Sequence, residues 1–134
     1  MLTKIINRIR KMNIDHEEIV VNGVTYTPKG SNNNPAPKLD GYDYVIVRAR
    51  DAGCWAGYLK SKSDNSVVLL QGRRLWHWQG AATLSQVAMD GFSKPDKCKF
   101  PCEVTEVEIF NHCEIAKATS KAKKSIDSVS IWKA

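Results

Sequence analysis

No apolar run in this chain of 134 residues approaches the roughly 18 that a membrane-spanning helix needs, so a soluble protein with no membrane partner is expected. The start of the chain is basic and partly apolar, but it lacks an uninterrupted apolar stretch and a small-residue cleavage site. No export signal is read there. There is no phosphate-cradling loop of the form G-x-x-x-x-G-K-S/T, which removes the P-loop nucleotide hydrolases. Internal repeats are absent. Histidine is scarce: only His16, His77 and His112 occur, and none is placed beside a Ser or Cys with a third group to orient it. Glu106 and Glu108 share a strand face, an arrangement commoner on a solvated edge than in acid–base chemistry. With no catalytic constellation and no cofactor motif, a non-enzymatic protein is expected.

What is present is globular. Hydrophobic residues make up 43% and charged residues 25%, which excludes a wholly disordered chain, and the length suits one domain. Twenty Lys and Arg against fourteen Asp and Glu give +6, a balance that favours anionic partners.

Cys54, Cys98, Cys102 and Cys113, in a chain without an export signal, are read as reduced thiols of a cytoplasm. Cys98, Cys102, His112 and Cys113 have the ligand count of a zinc site. The spacing is poor, because adjacent His and Cys on a strand point to opposite faces. Small buried hydrophobes with no metal are therefore expected.

Three segments differ in composition. Residues 1–18 carry Leu2, Ile5, Ile6, Ile9 and Met12 at helical spacing, with Lys4, Arg8, Arg10 and Lys11 elsewhere, which predicts a short amphipathic helix. Residues 19–39 hold a hairpin signal, Asn22-Gly23 between β-branched residues, and then a flexible linker rich in Gly, Ser, Asn and Pro from Lys29 to Lys38. Residues 40–134 form the compact body. There, alternation puts Tyr44, Ile46, Arg48 and Arg50 on one strand face, with Val45, Val47 and Ala49 on the other. Cys54–Lys60 and Val67–Leu70 add two more strands in a meander. A helix is expected over Ala81–Met89, strands over Val104–Phe110 and near Cys113–Ala116, and a basic final helix from Lys121 to about Val129 with Ser120 as its N-cap. The expected fold is α+β: an antiparallel sheet with two short packed helices and an N-terminal helical extension.

The candidate binding residues lie between these elements. If the strand preceding the first body helix runs on to Trp78, Arg74, Trp76 and Trp78 share one face, while Arg73, Leu75 and His77 line the other. An Arg between flat rings is suited to gripping a phosphate while a base stacks. Arg48 and Arg50 widen that patch, so the candidate ligand-binding set is Arg48, Arg50, Arg73, Arg74, Trp76 and Trp78. The competing reading places Trp76 and Trp78 in the core, where large aromatics at alternate strand positions usually lie. A phosphate seat at the N-terminus of the Ala81–Met89 helix would complete an Arg74–Trp78 site. The lysines of the tail, Lys117, Lys121, Lys123 and Lys124, are read as a solvated helix face.

The segments Val45–Arg48, Asp51–Gly53 through Gly57–Leu59, Arg73–Trp76, Trp78–Gln86 and Lys121–Ser125 resemble, in one order, a family of small proteins of unknown function from tailed bacteriophages and prophages. The resemblance covers about residues 19–134. It implies a phage accessory protein in the cytoplasm of an infected host, serving host takeover or counter-defence, with no catalytic residues to carry over. The leading expectation is a binding protein that sequesters an anionic, nucleotide-like ligand. Alternatives are a protein that binds nucleic acid or inhibits a host nucleic-acid enzyme, and a virion or assembly protein acting through protein contacts.

The apolar stripe of residues 1–18 needs a surface, and beyond a linker of about 12 residues it reaches a second copy as easily as its own body, implying a homo-oligomer. Deleting residues 1–18 should lower the oligomeric mass in light scattering without unfolding the body. An unchanged mass would remove this helix from the interface.

Overall fold

In a computed structural model of the chain, the described residues are 19–21, 24–26 and 34–134. The chain divides into two compact units, Met1–Asn34 and Pro35–Ala134. The predicted helix over 1–18, the Asn22-Gly23 turn and the linker up to residue 33 lie outside the described residues. In the first unit, β1 (Ile19–Val21) pairs antiparallel with β2 (Val24–Tyr26), Val21 opposite Val24, which leaves two residues to connect them. The second unit takes in the end of the stretch read as linker: Ala36 is buried and its N–H donates to Ala118 O at 3.1 Å.

The body is built on a five-stranded antiparallel sheet. Its strands are β3 (Tyr44–Ala49), β4 (Gly53–Lys62), β5 (Ser66–Arg74), β6 (Val104–Phe110) and β7 (His112–Lys117), in spatial order β6-β5-β4-β3-β7. The meander runs from β3 to β6, and β7 returns to pair with β3, Val45 opposite Lys117. The fold is α+β. The alternation in β3 places its side chains as expected, but both faces are buried. Tyr44 and Ile46 pack with Ala56, Leu75, Phe92, Phe100 and the helices. Val45, Val47 and Ala49 pack with Trp55, Val67, Leu69 and Ile109.

The second of these clusters is enclosed by the sheet itself. Strands β6 and β7 are opposite edges, yet only Asn111 separates them, in the left-handed region at φ 61°. Its N–H donates to Asn65 O at 2.7 Å and its carbonyl accepts from Arg50 N at 3.1 Å. A one-residue link between opposite edges forces the sheet to curl, and the second cluster fills the inside of the curl.

Two helices cover the first face. Helix α1 (Leu84–Asp90) begins three residues later than expected because Thr83 caps it: the Thr83 side chain accepts from Gln86 N, and Gln86 Oε1 accepts from Ala82 N. Helix α2 (Ser120–Asp127) is capped by Thr119 rather than Ser120. Thr119 Oγ1 accepts from Ala122 N at 3.0 Å and donates to Met89 O at 2.6 Å, so one hydroxyl joins the end of α1 to the start of α2. Gly91, at φ 74°, lets α2 approach; a Cβ there would lie 2.4 Å from Ser125 Cβ.

Arg73 corrects the expectation of a surface, ligand-facing guanidinium. It lies on the helix-bearing side, 5% exposed. Its Nε donates to Pro101 O at 2.8 Å, Nη1 to Ile126 O at 2.9 Å, and Nη2 to Val129 O at 2.7 Å and Phe100 O at 3.4 Å. Only a rigid planar fork reaches carbonyls spread this way, and the last turn of α2 directs its negative dipole end at the charge. Arg73→Met should cost roughly 3 kcal/mol or more in chemical denaturation, because buried carbonyls lose their donors. Arg73→Lys should recover little of that, since an ammonium cannot span the same acceptors.

Candidate functional site

The strand expected to run through Trp78 stops at Arg74, and that break disperses the candidate residues. Leu75 N still donates to Cys54 O at 2.8 Å, but His77 then pairs with Lys99 rather than with β4. Arg74 keeps the alternation and points to the opposite side from Arg73. Its guanidinium stacks 4.2 Å from the centre of the Trp55 ring, and its Nη1 donates to Ala52 O at 2.8 Å. Trp78 turns the other way and is half-buried against Phe92, ring centres 5.9 Å apart, beside the helix-bearing core. Arg74 and Trp78 therefore lie on opposite faces, and the Arg74–Trp78 pair does not form. Helix α1 is short, seven residues, and of its opening amides Gln86 N is taken by Thr83 Oγ1, while Gln86 Oε1 takes Ala82 N just before the cap.

Trp78 meets Arg48 instead. A cleft of about 400 Å³ is lined by Arg48, Cys54, Trp78, Thr83, Ser85 and Glu114 among others. Arg48 and Cys54 are cross-strand partners on β3 and β4, and Glu114 faces Arg48 from β7. Trp78 and the start of α1 supply the other wall. Arg48 Nε donates to Glu114 Oε1 at 3.1 Å, and that hydrogen bond raises the guanidinium pKa further. Both groups are exposed, so solvent screens the pair and it is weak enough to exchange for another anion. Arg50, expected to extend this patch, lies past a register shift in the β3–β7 pairing. It lines a separate pocket of about 280 Å³ with Asp64, Asn65 and His112, and pairs with Asp51 at 3.8 Å.

Trp76 takes a third direction, stacked on Trp132 with ring centres 4.9 Å apart and planes at 11°. Trp132 was not among the candidates. It lies after the last helix, and only its apolar neighbour Ile131 in a basic tail hinted that the segment folds back. The tail lysines are mostly neutralised: Lys117 by Asp43, Lys121 by Asp90 and Lys123 by Asp127.

The cysteines are free and less buried than small hydrophobes would be, with Cys102 and Cys113 exposed. Cys98 donates to Gln79 O and Lys94 O, whereas Cys113 donates to Arg48 O at 3.3 Å across the sheet. Among the described residues no group of three or more His, Cys, Asp and Glu gathers as a metal site would require. Likewise among those residues, no helix is long and apolar enough to cross a membrane.

Residues 42–126 match a family described as Domain of unknown function (DUF6948). No curated protein and no solved structure matches the chain.

Partial burial pushes the Cys54 and Cys98 thiols above their ordinary pKa. A raised pKa leaves less thiolate at a given pH, so exposed Cys102 should be alkylated by iodoacetamide faster than either at neutral pH. The gap should narrow as pH rises. Peptide mapping after timed alkylation reads the order directly, and equal rates would show the cleft thiol to be freely exposed.

Proposed function

The chain belongs to the DUF6948 family of domains of unknown function, and from that premise we propose that it is a non-enzymatic binding module taking an anionic, base-containing ligand into the Arg48–Trp78 cleft. One observation carries the proposal: a planar cationic donor on β3 and an indole from the segment after β5 face one concave space of about 400 Å³. Small-molecule sites span about 300–1,000 Å³, so a nucleotide is of suitable size. The indole offers a π-face to the base, and Arg48 offers a bidentate donor to phosphate. In the free protein Glu114 occupies that donor, and an incoming phosphate replaces it. The cleft offers no activated nucleophile, because burial pushes the Cys54 thiol up rather than down.

The resemblance to small phage and prophage proteins supplies the setting for this proposal. In an infected cell, sequestering a nucleotide or a nucleotide second messenger would blunt a host defence signal. The direct test is mass spectrometry of small molecules released by denaturing protein purified from infected cells.

Ligand occupancy should protect Cys54 from alkylation while leaving Cys102 reactive. Arg48→Gln should weaken binding of the released ligand at least tenfold, roughly 1.4 kcal/mol or more. Glu114→Gln should strengthen it, because it frees Arg48 and removes a like charge from the phosphate. Trp78→Phe tests the stacking face while keeping an aromatic ring against Phe92. No released anion, or an anion that leaves Cys54 unprotected, would sink the proposal.

A further inference from the structure

Trp76 and Trp132 form an aromatic surface separate from the cleft, 58% and 46% exposed although their rings stack on each other. The backbone beneath them is fixed. Trp132 N donates to Phe100 O at 2.8 Å, and Ile131 bridges Phe100. His77, next to Trp76, exchanges two hydrogen bonds with Lys99, at 2.8 and 3.3 Å. The two indoles therefore make a platform whose geometry is set before any partner arrives.

The distribution of charge gives the platform its chemistry. Several cations of the body are already matched: Lys38 and Lys117 by Asp43, Arg48 by Glu114, Lys60 by Glu106, Lys121 by Asp90 and Lys123 by Asp127. Among the described residues, Lys62, Lys94, Lys97, Lys99, Lys124 and Lys133 have no carboxylate partner, and of these Lys99 and Lys133 flank Trp132 of the Trp76–Trp132 stack. Lys99 Nζ lies 5.8 Å from the centre of the Trp132 ring, Lys133 follows Trp132, and Lys97 ends the 3-10 turn Pro95–Lys97, two residues before Lys99. Asp96 is the acid of that turn.

We propose that this face binds single-stranded nucleic acid, with a base stacked on the open indole surface and phosphates held by Lys97, Lys99 and Lys133. Every base has a π-face, so such stacking is tolerant of sequence, while lysines bind phosphate as point charges. A duplex keeps its bases stacked on one another and offers no face to the rings. A mononucleotide would be only partly covered by an open surface, whereas a strand presents several phosphates at once. Protein partners also favour tryptophan, but their interfaces are depleted in lysine, and here unmatched lysines flank Trp132.

The test uses the full chain and an oligothymidylate of about 12 nucleotides, within the site sizes known for such surfaces, followed by tryptophan fluorescence. Binding should quench emission and weaken as salt rises. Trp76→Ala and Trp132→Ala should each lower affinity about tenfold or more. Changing Lys97, Lys99 and Lys133 together to Gln should flatten the logarithmic salt slope by about 2, at about 0.7 per phosphate contact. Arg48→Gln should leave this binding unchanged, so failure of the cleft and failure of the platform are read separately. If Trp76→Ala lowers the melting temperature, Trp132→Ala reads the contact from the other ring. Three results would overturn the proposal: no oligothymidylate binding at low salt, equal affinity for a duplex of the same length, or affinity that survives both Trp→Ala changes. Loss of self-association by those variants with oligothymidylate binding intact would assign the face to a second copy instead.

Discussion

Arg73 extends one guanidinium from the end of β5 into the space between the sheet and the C-terminal segment, where it donates to four backbone carbonyls. Pro101 precedes β6, Ile126 belongs to the last turn of α2, and Val129 starts the path to Trp132. Phe100 O accepts from both Arg73 and Trp132 N. The fork therefore ties strand, helix and tail at one point. A hydrophobic side chain of equal volume would fill the space and take from Pro101 O and Val129 O the donor that Arg73 supplies, while Phe100 O and Ile126 O keep backbone donors. Both candidate surfaces connect to this junction, the platform through Phe100 and the cleft through Trp78 against Phe92 and Phe92 against Phe100.

The two surfaces differ in how their cations are met. In the cleft, Glu114 opposes Arg48, so the site is close to neutral, and in the proposed function an anion would exchange for the carboxylate. A weak exposed pair of this kind favours ligands that bring their own geometry over any passing anion. Around the stacked indoles the lysines are unopposed, and attraction there is long-ranged and sensitive to salt. A net charge of +6 says nothing about this partition. It depends on which carboxylates the fold brings near which cations.

Much of the sheet was legible in the sequence because alternation acts locally. Tyr44, Ile46, Val45 and Val47 divide between the faces as their spacing requires, and Val104–Phe110 is a strand with the bounds read from its pattern. The site was less legible. Extending the period of two past Arg74 put Arg74, Trp76 and Trp78 on one face, but pairing to β4 ends there and His77 turns to Lys99, a partner far along the chain. No local pattern signals that switch. The role of Arg73 was hidden for a related reason, since its acceptors are carbonyls whose position depends on how α2 docks. The start of α1 moved from Ala81 to Leu84 because Thr83 caps it, and the cap of α2 moved by one residue, from Ser120 to Thr119, whose hydroxyl meets Ala122 N.

The single residue between β6 and β7 imposes an order on assembly. As the chain emerges during synthesis, β3, β4 and β5 can zip together through short turns, and β6 joins β5 after the intervening α1 segment. The partner that flanks β3 on its other side is the last strand made, and its register against Val45 is set only once Lys117 has left the ribosome. Until then one edge of β3 stays open and Val45, Val47 and Trp55 line an unclosed trough. Asn111 shortens that vulnerable interval: once Phe110 is paired, His112 is delivered to the opposite edge with no loop left to search, and the trough shuts as a seam rather than by a chance encounter.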